Sequence, residues 1–208
     1  LFESLSGECS HLYLAIDGVL VAVIAITDPI REEAPQVVSM LRKCGLSKIV
    51  MMTGDSERTA EVVAAKVGVD EYYSEVLPED KASYVEKEHQ AGCKVIMIGD
   101  GVNDSPALSA ADVGIAICDG AEMAREIADI TIAGDNLEEL VTLKRLSNAL
   151  VKRIHGNYRQ IVGFNTGLIL CGIGGVMQPA TSALLHNTST LAMSVKSMKD
   201  LLSEKDEK

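Results

Sequence analysis

No two cysteines in this chain are separated by two residues. The five, Cys9, Cys44, Cys93, Cys118 and Cys171, are scattered, which excludes a Cys-x-x-Cys redox motif and the paired spacing of a structural zinc site, and leaves no disulfide framework. Reduced thiols are expected for the first four, and Cys171 falls in an apolar stretch where a cysteine packs more often than it ligates. An excess of basic charge is missing too. The formal net charge is −11, so no nucleic-acid partner is expected, because phosphate backbones attract basic surfaces. No internal repeat or low-complexity tract is present. The start, Leu1-Phe2-Glu3, has neither an initiating methionine nor a signal-like character, so a piece of a longer protein is expected.

The charge is unevenly distributed. Residues 1–150 hold 26 acidic and 12 basic side chains, whereas residues 151–208 hold 4 acidic and 7 basic. The front has the composition of an acidic globular domain large enough for one core. The back carries two apolar stretches, 161–177 and 180–198, separated by Gln178-Pro179. At about 1.5 Å rise per residue each approaches the ~30 Å thickness of a bilayer core, which predicts a membrane hairpin. Lys152, Arg153, Arg159, Lys196 and Lys199 flank it while the connecting turn is uncharged, so both ends should face the cytoplasm. Asn165, Thr166, Gln178, His186 and Asn187 interrupt the apolar runs; such groups must face other helices, and a buried helical hairpin in a soluble protein is the competing reading.

Along the front, strand and helix signals alternate. Residues 11–16 and 19–26 flank Asp17-Gly18, a dipeptide suited to the positive dihedrals of a tight hairpin turn. Asp28-Pro29 reads as a helix cap and first helical residue, with the helix running to about Cys44. A strand over 48–52 comes next, then a helix opened by Thr53-Gly54-Asp55-Ser56, a brief strand over 71–76, and a third helix opened by Leu77-Pro78-Glu79-Asp80-Lys81. Strands over 94–98, 113–117 and 129–132 complete the set, with a helix around 121–127 and another from Leu137 that continues into the first apolar stretch. This alternation predicts an α/β domain with one parallel sheet covered by helices on both faces.

The chemistry concentrates in Gly99-Asp100-Gly101-Val102-Asn103-Asp104-Ser105, a loop that comes after a buried strand and so stands beyond its carboxyl end, where open α/β sheets bind ligands. Asp100, Asn103 and Asp104 offer hard oxygen ligands suited to Mg²⁺, and Gly99 and Gly101 allow a tight turn. Capping of the next helix is the plain alternative for such residues. A dinucleotide site is excluded, because the third glycine of Gly-x-Gly-x-x-Gly falls on Asp104. Thr53 and Lys81 open loops or helices at the same sheet edge, which would gather a hydroxyl, an ammonium and carboxylates around one phosphoryl group.

In this order, Thr53-Gly54-Asp55, Leu77-Pro78-Glu79-Asp80-Lys81 and Gly99-Asp100-Gly101-Val102-Asn103-Asp104-Ser105-Pro106-Ala107-Leu108 resemble the motifs of P-type ATPases within the haloacid dehalogenase superfamily. Ala111-Asp112-Val113-Gly114-Ile115-Ala116, Ala128-Asp129-Ile130 and Asp28-Pro29-Ile30-Arg31 extend the likeness, and two closing membrane helices resemble the heavy-metal branch. The resemblance implies a Rossmann-like sheet of the haloacid dehalogenase type, divided as 1–26, the end of the nucleotide-binding domain and return strand; 27–150, the second part of the phosphorylation domain, incomplete here; 151–203, the last two transmembrane helices; and 204–208, a cytoplasmic tail. It implies Mg²⁺ and ATP as cofactors and a multi-pass protein of a bacterial-type plasma membrane with a cytoplasmic catalytic domain. Carried over by position, Thr53 would hydrogen-bond the phosphoryl group, Lys81 would neutralise its oxygens, Asp100 would ligate Mg²⁺, and Asn103 and Asp104 would complete that loop. Gly54, Asp55, Gly99 and Gly101 would approach nucleotide and phosphate, with Asp28 and Arg31 as weaker members that capping also explains.

The nucleophile of that family lies in an Asp-Lys-Thr-Gly-Thr string absent from these residues, so this stretch alone is expected to form no aspartyl-phosphate and to depend on the remainder of the pump. For the transported divalent heavy-metal cation, His186 and Asn187, with Asn165 as a partner, are the candidate ligands; helix-to-helix hydrogen bonding is the alternative. Membrane lipid is the other expected partner. Two further readings of the whole remain open: a fragment of a soluble phosphatase of the same superfamily, and a non-catalytic membrane-anchored module.

Overall fold

The computed structural model describes residues 10–26, 29–99, 104–118, 127–133 and 136–202. They belong to two units, Leu1–Val141 and Thr142–Lys208.

The first unit opens with β1 (Ser10–Ile16) and β2 (Val19–Ile26), an antiparallel ribbon. Its turn has φ of 49° at Asp17 and 78° at Gly18, the pair of left-handed residues that the Asp-Gly signal calls for. Helix α1 (Ala34–Lys43) begins later than expected, with Glu33 as its cap, and this corrects the start assigned to Asp28-Pro29. The cause is Pro35. In a helix starting at residue 29, its ring would strike the carbonyl four residues back, whereas in the first turn of a helix starting at 34 it costs nothing.

Strand β3 (Val50–Met52), α2 (Glu57–Val67), β4 (Glu71–Tyr73), α3 (Pro78–Gln90), β5 (Ile96–Gly99), α4 (Ser105–Ala110), β6 (Val113–Cys118) and β7 (Ile130–Ala133) then follow; the strands and the helices α2 and α3 fall where the pattern predicts them, whereas the short α4 was not expected. Helix α2 ends on Gly68 at φ 80°, the left-handed cap that glycine supplies at least cost. The expected helix around 121–127 lies largely outside the described residues. The parallel pairing is observed, but not in one sheet: among the described residues β3 pairs only with β4, and β5, β6 and β7 form a separate ladder in that order. This corrects the expectation of a continuous sheet, since no backbone ladder joins β3 to β5.

Side chains hold these parts together instead. Val85 of α3, Met97 of β5, and Ala107 and Leu108 of α4 form one buried cluster, against which Met52 of β3 and Ala82 of α3 pack. Lys48, just ahead of β3, reaches Glu71 of β4 at 2.9 Å and the Tyr84 hydroxyl of α3 at 3.1 Å, and the Tyr73 and Tyr84 rings meet at 4.9 Å between centroids. Gly114 of β6 is held to glycine by packing: a Cβ there would lie 2.7 Å from the Leu108 carbonyl oxygen.

In the second unit, α5 (Glu138–Ile173) and α6 (Pro179–Ser197) are joined by a turn at Gly174 and Gly175. Helix α5 starts within the first unit, where Leu140 and Val141 are buried, and runs into the first apolar stretch without a break, as expected from Leu137 onward. Among the described residues, no helix is long and apolar enough to cross a membrane, so two helices are found over the apolar stretches but not the spanning hairpin expected there. The polar residues that interrupt the two stretches account for this.

Candidate active site and the helix-pair polar site

Lys81 and Asp104 meet. Lys81 stands in the first turn of α3, a helix opened by Pro78 and by the Leu77 N–H donating to Asp80 Oδ2 at 3.3 Å. Its Nζ donates to Asp104 Oδ1 at 2.7 Å, with the two side chains 16% and 12% exposed. Asp104 is the one buried charged residue among those described. It precedes α4 without capping it through its side chain, so the capping alternative fails for Asp104, whose Oδ1 goes to the lysine.

Gly99 lies directly under that carboxylate. A Cβ at Gly99 would fall 2.3 Å from Asp104 Oδ2 and 2.7 Å from its Cβ, so a hydrogen is all the space admits. The need for glycine is therefore steric as well as conformational.

Thr53 comes directly after β3. Its hydroxyl donates to Asp55 Oδ2 at 2.8 Å and accepts the Asp55 N–H at 3.1 Å, a closed local turn. Thr53 is not hydrogen-bonded to Lys81 or Asp104; instead Met52 and Ala82, the neighbours of Thr53 and Lys81, pack on the same cluster as Met97 and Leu108. Gly54 is under no packing constraint, its nearest contact being the Val76 carbonyl at 4.0 Å. The loop after β4 is laced to this turn by Val76 N–H to Thr53 O at 3.0 Å and Glu75 N–H to Asp55 O at 2.9 Å. Glu75 takes a left-handed φ of 52°, a strained choice for a side chain with a Cβ, and nothing in the sequence singled it out. Arg31 precedes α1, its carbonyl accepting the Ala34 N–H at 3.1 Å. Asp28, Asp100, Gly101 and Asn103 lie outside the described residues.

Sequence reasoning missed a recurring contact. The carboxylate Oδ2 of Asp70 accepts the Ile49 N–H at 2.8 Å, that of Asp112 the Val95 N–H at 2.9 Å, and that of Asp129 the Gly114 N–H at 2.9 Å. The signal was present as three aspartates each directly ahead of a strand. The Lys94 ammonium and then the Val95 N–H hold the Asp112 carboxyl far below the ordinary carboxylate range, and Arg42 and then the Ile49 N–H lower that of Asp70.

In the helix pair, His186 Nδ1 and Asn165 Oδ1 are 2.9 Å apart, linking α6 to α5. Asn187, one residue on, is rotated about 100° around the helix from His186, so the structure unites two of the three proposed ion ligands. Among the described residues no group of three or more His, Cys, Asp or Glu is arranged to hold a metal. A cavity of about 360 Å³ between these helices is lined by Phe164, Met193 and Lys196 among others, and by neither His186 nor Asn165.

The family model of the haloacid dehalogenase-like hydrolases matches residues 3–112. The manganese-exporting P-type ATPase of Mycobacterium tuberculosis is 44% identical over 183 residues, 88% of this chain and 26% of that protein. Copper-transporting ATPase 2 of Rhizobium meliloti is 43% identical over 180 residues, 86% of this chain and 21% of its own. A crystal structure of a zinc-transporting PIB-type ATPase in the E2.Pi state superimposes with a TM-score of 0.81 at 29% identity, over 95% of this chain and 32% of that one. The chain thus spans about a quarter of the length of the curated relatives it matches. It belongs to the haloacid dehalogenase-like hydrolases, and the relatives it resembles are P-type ATPases that move manganese, zinc or copper.

Proposed function

We propose that the polypeptide carrying this chain is an ATP-driven heavy-metal cation pump, and that residues 27–150 supply the part of its phosphorylation domain that binds the transferred phosphoryl group. The observation that carries the proposal is the largely buried Lys81–Asp104 pair, its side chains 16% and 12% exposed, seated on Gly99, within a chain of this family. The attacking aspartate lies outside these residues. Lys81, fixed by Asp104, offsets charge on the phosphoryl oxygens, and Thr53 donates its hydroxyl to one of them once it exchanges its Asp55 contact for the ligand. Gly54 and Asp55 face the nucleotide, with Asp28 and Arg31 at the border of the domain.

The donors fit Mg²⁺, since Asp104 and Asp100 are hard carboxylate ligands in one loop with the Asn103 amide. When bound, the ion supplies positive charge to the phosphoryl oxygens.

On the same reading residues 1–26 close the nucleotide-binding domain, and 151–203 are the last two helices of a multi-pass plasma-membrane protein. Exposed Ile169, Leu170, Leu184, Leu191 and Val195 suit lipid or neighbouring helices. The hydroxyls of Thr166, Thr188, Thr190 and Ser194 each bond a carbonyl four residues back, leaving no demand for water. A helix too polar to span by itself is tolerated inside a bundle. His186 and Asn165, with Asn187 nearby, supply nitrogen and oxygen ligands for a borderline divalent cation.

The test is metal-stimulated ATP hydrolysis by the full-length protein in membrane vesicles. Stimulation by one of Mn²⁺, Zn²⁺ or a copper ion is expected, and it is lost in His186→Ala while phosphorylation from inorganic phosphate persists. Hydrolysis indifferent to every metal, or recovery of the protein in buffer without detergent, would overturn the pump reading.

A further inference from the structure

The three aspartates that precede strands occupy one position in their ladders. In the register of β3 with β4, Val50 faces Glu71, so the Ile49–Asp70 pair sits one step before the ladder begins. Ile96 faces Val113 and Ile115 faces Ile130, which puts Val95–Asp112 and Gly114–Asp129 at the equivalent step. Two of these contacts are reciprocal. The Asp70 N–H donates to Ile49 O at 2.8 Å and the Asp112 N–H to Val95 O at 3.0 Å, while each carboxylate receives the N–H of the residue it faces. Aspartate's short side chain suits a hydrogen bond to backbone this close to its own.

These clamps act where register is weakly specified. The β3–β4 ladder has three residue pairs and the β5–β6 ladder four, and a slip of one residue turns every side chain to the opposite face. A cation secures each of the two reciprocal clamps: Arg42 bonds Asp70 and the Gly68 carbonyl, and Lys94 with His89 bonds Asp112. Each clamped strand delivers one half of the proposed site at its carboxyl end. Strand β3 leads into Thr53, and β5 ends on Gly99 ahead of Asp104.

We infer that Asp70 and Asp112 are positioning residues, each locking the register of the strand that presents one half of the phosphoryl site: Asp70 for Thr53, Asp112 for Gly99 and Asp104. The inference rests on the phosphoryl-transfer reading above. It requires the two halves to fail separately, since no backbone ladder joins β3 to β5.

The experiment measures phosphorylation of the full-length protein from inorganic phosphate while Mg²⁺ and phosphate are varied independently. Asp112→Ala is expected to raise the half-saturating Mg²⁺ by about tenfold, and the half-saturating phosphate by a smaller factor, because Lys81 is held through Asp104. Asp70→Ala is expected to do the reverse, raising half-saturating phosphate by about tenfold. Asp112→Asn and Asp70→Asn keep one acceptor oxygen at the same reach and should return to within about threefold of the parent. If an alanine variant fails to fold, Asp→Glu carries the test, because it displaces the acceptor by a methylene and should shift the same constant. Equal losses in both variants with neither constant moved, or crossed shifts, would overturn the positioning role alone. A parent protein that takes up no phosphate at any Mg²⁺ concentration would overturn the phosphoryl-transfer reading and this inference with it.

Discussion

Thirteen of the fourteen buried apolar side chains described lie in the first unit, and one, Leu168, in the second. The polar groups divide in a different way. In the first unit full charges answer one another: Lys81 with Asp104, Arg42 with Asp70, Lys94 with Asp112, Lys48 with Glu71. In the helix pair the contacts across α5 and α6 include Asn165 with His186, Asn157 with Ser197, Gln160 with Lys196, and Arg153 with the Ser197 carbonyl, none of them with a carboxylate side chain. The first unit buries a core and pairs its charges, as a unit in water does, whereas the helix pair leaves most of its apolar side chains exposed and answers some of its polar groups within the pair. The comparison therefore separates a unit held by a core and charges from one held by neutral contacts between two helices.

The strongest test of it deletes one partner on each side. Lys81→Ala leaves the Asp104 carboxylate buried and unpaired, which should cost about 3 kcal/mol of stability and lower phosphoryl transfer by roughly 10³-fold. Asn165→Ala removes a neutral partner of His186, and its stability cost should be about 1 kcal/mol or less. Denaturation of both variants, with phosphorylation measured alongside, checks the ranking. Equal costs would erase the distinction between charged and neutral pairing.

Gly99→Ala sharpens the first half of the comparison without touching a charge. The new methyl group would overlap Asp104 Oδ2 and Cβ, so Asp104 must swing away from Lys81 or β5 must shift. A destabilisation of about 1–3 kcal/mol is expected, together with loss of phosphorylation nearly as deep as in Lys81→Ala. Gly54→Ala meets only the Val76 carbonyl at 4.0 Å and should leave stability unchanged. If both glycines tolerate alanine equally, the close seat under Asp104 is not a constraint.

Much of this site was legible before the structure. The Leu77-Pro78 helix start and the Gly99 to Ser105 loop are local signals, and they sufficed to bring Lys81 and Asp104 into one expectation. What escaped was non-local. Strand composition marks β3 and β5 but says nothing of which strand each pairs with, so the division into two ladders was invisible. Pro35 was a local signal overlooked, and it moved the start of α1. Asp70, Asp112 and Asp129 each read as ordinary turn formers, because the N–H groups they accept lie 15 to 21 residues away. Thr53 was placed at the correct strand end, but its bond to Asp55 competes with the role assigned to it.

The smallest expected effect is on acid stability, and it should fall on one region only. The Asp112 and Asp70 carboxyls are held below their ordinary values by Lys94 and Arg42 first and by backbone N–H groups second. A carboxyl depressed by folding contributes stability that is fully present above its unfolded pKa, about 4, and that is lost as pH falls through the lower folded value. Hydrogen exchange resolved by segment, tracked from pH 5 to pH 2, should therefore show protection falling in β3 to β6 below about pH 4. Helix α6 has no acidic residue between Pro179 and Ser197, so its protection should not track that curve. Lys94 is exposed, and raised salt should weaken the Asp112 part of the effect. Combining Asp70→Asn with Asp112→Asn should reduce the acid loss in the first unit, leaving the part due to Glu57 and Glu88, which are also held below their ordinary values by hydrogen bonds from Ser74 and Tyr84, and should leave α6 as it was. An equal acid response in both regions would mean that the charges of the first unit are not what sets it apart.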